Sequence, residues 1–469
     1  MTKIQFFWKP HPNPELRLPW YLTQLGLLIF PLIPSLGAVS FVIASIGTWR
    51  RQYRRIRNRL LNWGFAVLSV LLIATAGLAD DKIAAFVGLF NFLPFFLFFA
   101  ALSALIQTTT QLRQLSWILA IGSIPVVIIG MGNMFLGWIT SQFWEIIFGW
   151  KLEPRIDRMD SVMTNSNLLA AYLVIVIILG LGLWIENLQK INKIEKKINK
   201  IKITIPSFTT PFLFLTFILI GDFVALILTH SRNGWANAIF VCVAYAFYQS
   251  WYWMIAVVTA VTSSIMIAAR GPLPIAKLFR QVIPQFFWLR LQKDFFLGRA
   301  LPQHRNTQWE FAWSLTVQRP WNGWGLRNFT LLYQVETDHW LGHPHNLFLM
   351  LSAETGLPTT IFFCGLLGLL FVAGVRLLQN SKYLHHEDKL IFFSYLLAFA
   401  AWMILNTVDV TIFDFRLNTL FWLIIAAVCG VTYNYNPKLQ KHQNQFLTVF
   451  FPAKDYSLTN QTDPTEVGE

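Results

Sequence analysis

Charge is what this 469-residue chain has least of. Asp, Glu, Lys and Arg make up 13% of it, about half the share of an ordinary soluble domain. So little charge cannot give a core of this size a water-facing surface. Cysteine is nearly absent. Cys242, Cys364 and Cys429 each fall in an apolar run and none forms a Cys-x-x-Cys pair, which argues against a thiolate metal site and says nothing about redox compartment. Glycine is too sparse, at 26 residues, for a collagen-like chain. The sequence holds no Gly-x-x-x-x-Gly-Lys-Ser/Thr loop and no Gly-x-Gly-x-x-Gly turn, so the usual nucleotide cradles are missing. The first 19 residues carry four prolines with Lys3, Lys9 and Arg17 but no apolar stretch, so no cleavable leader is expected.

Apolar residues, by contrast, make up 55% of the chain, with 20 Trp and 42 Phe. That is far too apolar for a disordered protein. Runs such as LVIVIILGLGLWI and FLPFFLFFAALSALI are continuous, whereas an outer-membrane barrel needs alternation. The fold class read from this is an all-α polytopic membrane protein with room for about twelve spans. The expected spans lie near 20–33, 35–48, 62–79, 83–106, 115–139, 167–185, 211–230, 233–249, 253–269, 347–377, 390–408 and 419–433. They group into an N-terminal membrane bundle (1–269), a long outer loop (270–346), C-terminal membrane helices (347–434) and a polar, disordered tail (435–469). Pro31 and Pro34 favour a tight hairpin for the first two spans over one long helix.

The formal net charge is +14, and it is unevenly placed. Arg50, Arg51, Arg54, Arg55, Arg57 and Arg59 follow the second span; Lys190, Lys193, Lys196, Lys197, Lys200 and Lys202 follow the sixth. Short basic loops mark the cytoplasmic side. Four spans separate the two clusters, so one orientation satisfies both, with both termini inside. The loop 270–346 is exempt by its length, yet it carries nine basic residues against four acidic ones. Its aromatic content (FFW, WEFAW, WNGW) suggests that it packs on the membrane. Long loops of this kind tend to be functional.

Four features fall on the outer face. The first is HPHNLFLMLSAETGLPTT, with His343, His345, Asn346 and Glu354. A histidine there is either a general base, since imidazole titrates near neutrality, or part of a polar cluster that caps the next helix. The second is LTHSRNGW, whose Arg232 either snorkels to the interface or offers its planar fork to phosphate oxygens. The third is Arg305 at the start of RNTQWEFAW. Trp309, Ala312, Trp313 and Thr316 follow helical spacing and predict one face laid on the membrane or the bundle. The fourth is TNSNLLAAYLV, where Asn165 and Asn167 cap a span or bind a sugar or phosphate. Arginines with a histidine at a membrane surface suit an anionic, lipid-linked substrate rather than nucleic acid. HPH in a loop is a weak metal signal, so no metal and no cofactor is expected. Asp222, in FILIGDFVALIL, is the one charge well placed near mid-membrane.

At these residues the chain resembles the O-antigen ligase/polymerase superfamily of bacterial envelope glycosyltransferases, over roughly residues 164–421. The likeness is most specific at His345, Asn346, Gly356 and Thr359, spaced HNx9GxxT. SRNGW, Arg305 with its Trp-rich helix, RPWNGWGLRNF and TNSNLLAAYLV are also similar. Within that superfamily the chain resembles the cyanobacterial branch often labelled as bicarbonate transporters. That branch does not always keep the histidine pattern, which is intact here. The resemblance implies an enzyme in the bacterial inner membrane. It would move a glycan from undecaprenyl diphosphate to an acceptor hydroxyl, on lipid A-core in lipopolysaccharide biosynthesis, on a growing polysaccharide or on a protein. The transfer would be metal-independent and inverting. His345 would be the general base and Arg232 and Arg305 would hold the diphosphate. His343, Asn346, Glu354, Asn165 and Asn167 would support them. An O-antigen polymerase with the same chemistry and an inorganic-carbon transporter are the alternatives.

Overall fold

The computed structural model describes residues 9–140, 145, 152, 157–163, 165–198, 209–292, 303–380 and 382–436. Most of the expected polar tail, from 437 onward, lies outside the described residues, as do Lys200, Lys202, Lys293 and Arg299 of the basic segments. The described chain is helical and contains no strand.

The helices are α1 (Arg17–Ile29), α2 (Pro34–Arg57), α3 (Leu60–Gly77), α4 (Lys82–Gly88), α5 (Leu93–Leu105), α6 (Thr109–Leu136), α7 (Ser166–Ile198), α8 (Thr209–Leu228), α9 (Arg232–Tyr248), α10 (Tyr252–Arg270), α11 (Leu273–Val282), α12 (Gln285–Trp288), α13 (Arg305–Gln318), α14 (Asn328–Thr337), α15 (Leu347–Gln379), α16 (His386–Leu405) and α17 (Phe415–Tyr435). Nine helical stretches among the described residues are long and apolar enough to cross a membrane. The protein is an all-α polytopic membrane protein. α1 and α2 pack closely as a hairpin that turns at 30–33, and Pro34 starts α2, where its missing N–H is no loss.

Burial ranks the helices. From Arg416 to Thr432 every residue of α17 is buried, as a helix apolar on all sides should be. α5, α16 and α15 pack around it. α10 buries little more than Ala268 and Ala269, so its apolar surface is left for lipid.

Two faces follow from the contacts. At the start of α6, Arg113 grips Glu186 of α7 at 2.9 Å and Asp388 of α16 at 2.8 Å. Arg55, near the end of α2, donates to Asn434 at the end of α17. α16 and α17 are joined by the short turn 406–414, so the start of one and the end of the other lie together. The tail of α2 and the stretch of α7 around Glu186 therefore lie on one face. The described parts of the loop 270–346 lie on the other face.

That loop has its own small core. Ala312 and Leu315 of α13 pack with Phe329 and Tyr333 of α14 and with Ala353 of α15. The helix expected from Arg305 is present, but its buried stripe is Gln308, Ala312, Leu315 and Thr316. Trp313 is 51% exposed. The small Ala and Thr allow close approach to α15, and the bulky indole of Trp313 is turned outward instead.

α15 breaks at Gly356, whose φ of 78° and ψ of 162° lie where only glycine rests comfortably. A break frees backbone groups that must find partners in an apolar setting. The segment PWNGWG supplies them. Trp324 N–H donates to Ala353 O at 2.9 Å, Gly325 N–H to Glu354 O at 2.7 Å, and Leu357 N–H to Pro320 O at 2.8 Å. Arg319 then anchors the segment, reaching Asp80 at 2.7 Å and lying 3.7 Å from the Trp324 ring centre.

A candidate active site at one end of the bundle

The start of α15 carries the histidines. Asn346 is the helix cap: its Oδ1 accepts from Phe348 N–H at 3.0 Å and Leu349 N–H at 3.1 Å. Just before it His345 sits at φ 51°, a left-handed conformation uncommon for a side chain of this size. The turn 406–414 faces it. Asn406, Thr411 and Trp402 knot that turn together. The Trp402 indole donates to Thr411 Oγ1 at 3.0 Å, Thr411 N–H to Asn406 Oδ1 at 3.0 Å, and Leu347 N–H to Asn406 O at 2.9 Å. The knot presents Asp409, whose Oδ1 lies 3.2 Å from His345 Nδ1. A carboxylate there accepts the Nδ1 proton and leaves Nε2 as the basic nitrogen.

His343 completes the cluster. Its Nδ1 accepts from His345 N–H at 3.2 Å, and its ring stacks on Phe413 with centroids 5.9 Å apart. Burial, helped by the positive fields of His345 and Arg305 and opposed by Asp409, pushes its pKa down to about 4. It is therefore neutral at physiological pH. Burial alone would raise the Asp409 carboxyl. The hydrogen bond and field of His345, with His343 and Val410 N–H, more than offset this and hold it below the usual range.

The His343 shift yields a prediction. The unfolded chain takes up this proton near pH 6.5 and the folded one near 4, so unfolding binds protons between those values and stability falls as pH drops through that window. His343→Gln is expected to flatten the fall. Thermal unfolding in detergent from pH 7 to 4 measures it, and equal slopes for both proteins would contradict the assignment.

A cavity of about 640 Å³ opens beside the cluster, lined by Asp81, Arg327, Thr330, Trp340, His343, His345 and Phe413 among others. Arg327 extends over Phe413, 5.7 Å from the ring centre. The other expected residues divide into two groups. Arg305 lies near enough to His343 to act on its titration. Arg232 opens α9 on the same face; its neighbour Asn233 reaches Val408 O at 3.5 Å, beside Asp409. The remainder make contacts that hold the surrounding elements. Asn165 caps α7 through Asn167 N–H and Leu168 N–H. Asn167 accepts from Arg158 at 2.8 Å, and Arg158 also holds Thr229 O at 2.9 Å, which fixes the turn before Arg232. Glu354 is buried and accepts from Phe329 N–H at 3.3 Å. It fixes the start of α14 and does not line the cavity.

Two residues were missed. Asp409 comes 64 residues after His345, and only the fold brings them together. Arg327 lies in the WNGWGLRNF segment already noted, but nothing in its spacing marks it. The metal expectation rested on HPH alone. His343, His345 and Asp409 in fact place ligand atoms within 4.8 Å of one another, a grouping that can hold a metal ion. His343 Nδ1, His345 Nδ1 and Asp409 Oδ1 are already engaged in hydrogen bonds, so each of these atoms also has a partner within the protein. Asp222, the mid-membrane charge, is buried on α8 and accepts from Ser123 of α6 at 3.2 Å.

Residues 214–364 match the family model described as O-Antigen ligase. No curated protein matches the chain. The matched stretch runs from α8 to the middle of α15. It contains Arg232, Arg305, Arg327, His343 and His345, while Asp409 lies beyond it. Over residues 214–364 the chain is thus similar to the O-antigen ligase family.

Proposed function

We propose that this chain transfers a glycan from a polyprenyl diphosphate carrier to an acceptor hydroxyl at the outer face of the bacterial inner membrane, with both termini in the cytoplasm. The observation that carries the reading is the His345–Asp409 pair, 3.2 Å apart at the membrane edge, with three arginines on the same face and a matching ligase domain. A sugar hydroxyl attacks poorly until a base takes its proton. His345 Nε2 takes it, and Asp409 steadies the imidazolium that forms. The hydroxyl oxygen bonds to the anomeric carbon as the bond to the diphosphate oxygen breaks. The diphosphate departs with the electron pair and its growing charge meets Arg232, Arg305 and Arg327. Direct attack inverts the anomeric centre.

Each arginine replaced by Ala is expected to lower transfer by about 100- to 1,000-fold, the range for losing one preorganised charge-stabilising group. Lys is expected to restore only part of it, because a point charge lacks the bidentate fork. Activity assays of each variant against wild type measure this; full activity in all three Ala variants would remove the diphosphate-clamp role.

In the cell, glycan profiling of a deletion strain separates the acceptors. Long chains missing from an intact core mean a ligase; a single repeat on the core means a polymerase. The His343–His345–Asp409 grouping also admits a divalent cation. Transfer that survives chelation supports the arginine-only reading, and transfer abolished by chelator and restored by metal supports the other.

A further inference from the structure

Arg59, in the turn between α2 and α3, is fully buried. Its Nε and both terminal nitrogens have no hydrogen-bond partner among the described residues. A guanidinium in that state is costly, because it has lost water and gained no acceptor. Its neighbours do not repay the loss. The Tyr433 ring centre lies 5.0 Å from the guanidinium carbon, a cation–π contact that leaves the N–H groups of the planar fork to donate elsewhere. The Cys429 thiol beside it is a weak acceptor. Arg55 is close enough for the two positive charges to act on each other. The turn itself is pinned: Asn62 Nδ2 donates to Ile56 O and the Trp63 indole to Arg57 O, both at 2.8 Å. The backbone that carries Arg59 is therefore held in place.

We infer that Arg59, with Arg55 at its rim, binds the phosphate of an anionic phospholipid where α2, α3 and the end of α17 meet, at the end of the bundle away from the candidate active site. A phosphate offers paired oxygens to the guanidinium fork and offsets the repulsion between the two arginines. Arg55 is half-buried and donates to Asn434 Oδ1 at 3.3 Å, so a phosphate held there ties α2 and α3 to α17. Topology alone accounts for Arg50, Arg51 and Arg54, which are exposed. It does not account for an arginine sealed from water. The surroundings favour a lipid over a free ion. Tyr53, Leu60 and Trp63 are 52%, 64% and 41% exposed around the same turn, aromatic and apolar groups of the kind found at head-group level. Basic pockets between helix ends at an anionic leaflet bind lipid head groups in this way.

The experiment uses the full-length protein, delipidated in detergent and followed by thermal unfolding. It is titrated with phosphatidylglycerol, with phosphatidylcholine, or with sodium phosphate at matched ionic strength. Phosphatidylglycerol is expected to raise the unfolding temperature. Phosphatidylcholine, whose choline cation would meet Arg55, is not. Arg59→Met is expected to shift the phosphatidylglycerol response to about 10- to 100-fold higher lipid concentration, the range for losing one hydrogen bond to a charged group. Without lipid it should unfold no lower than wild type, since an apolar side chain of similar length replaces an uncompensated charge. An arginine with a purely structural role would show the reverse, lower stability in every condition with the lipid response intact. Arg55→Met is expected to give a smaller loss of response, and it carries the test if Arg59→Met does not fold. Arg51→Met removes the same formal charge from an exposed position and should respond as wild type does. A response to sodium phosphate as large as that to the lipid, lost in Arg59→Met, would overturn the lipid as the source and keep the phosphate site. Equal stabilisation by the two lipids, an undiminished response in folded Arg59→Met, or an equal loss in Arg51→Met would overturn the site itself.

Discussion

His345→Asn is expected to lower glycan transfer by about 10²–10⁴-fold, the usual contribution of a general base, while leaving the protein folded and inserted. Asn is the better test than Ala for a local reason. His345 sits at φ 51°, and Asn tolerates that region where most side chains are strained. The loss then reports chemistry rather than backbone repair. Asp409→Asn keeps an oxygen facing His345 Nδ1 and the Val410 N–H but removes the charge that steadies the imidazolium. It is expected to cost less than loss of the histidine, about 10²-fold. The two residues act as one unit, so the double variant should be hardly worse than His345→Asn alone. Additive losses would show that Asp409 works by some other route. The readout is initial rate with a matched thermal unfolding curve for each variant.

The second large effect is on stability. Gly356→Ala places a Cβ 2.5 Å from Trp321 O and 2.6 Å from its carbonyl carbon. These are backbone atoms and cannot swing aside. The conformation itself costs about 1–3 kcal/mol for a residue with a side chain, and the clash adds to it. The expected outcome is a sharp fall in folded yield. Any protein that folds should have its WNGWG segment displaced and transfer impaired. Gly365 lies on the same helix, with nothing within 4 Å of an added Cβ. Gly365→Ala is therefore expected to unfold at the wild-type temperature or above it, since Ala is the better helix former. Fluorescence-detected size exclusion and thermal unfolding in detergent compare the pair. Equal behaviour would mean that the break in α15 is not required by the packing around it.

The fold class was legible because hydrocarbon length leaves a strong mark. Long apolar runs cannot be hidden, and the end of α2, with its arginines, lies on the same face as Glu186 of α7. Gly356 was legible as a spacing but not as a cause. Its role is to open α15 so that Trp324, Gly325 and Leu357 can complete hydrogen bonds across the break, and only the packed loop reveals that. The site was partly legible. His343 and His345 announced themselves at the point where the chain enters the membrane. Asn165 and Asn346 did so as well, but their positions before apolar runs fit a helix cap as well as a ligand, and capping is what the structure shows. Asp409 was hidden because the pairing depends on the knot of Asn406, Thr411 and Trp402 in a different turn. Local sequence carries helix propensity and caps. It does not carry which turn lies opposite which.

The central claim is that the cluster at His345 catalyses release of a polyprenyl diphosphate as a new glycosidic bond forms. The direct measurement is a single-turnover reaction of the purified protein in nanodiscs with an undecaprenyl-diphosphate glycan and an acceptor glycan. Both products are followed by mass spectrometry. The account predicts one undecaprenyl diphosphate released per glycan transferred, with the anomeric configuration inverted and the signal abolished in folded His345→Asn. Undiminished product formation in that variant, or retention of configuration, would contradict it.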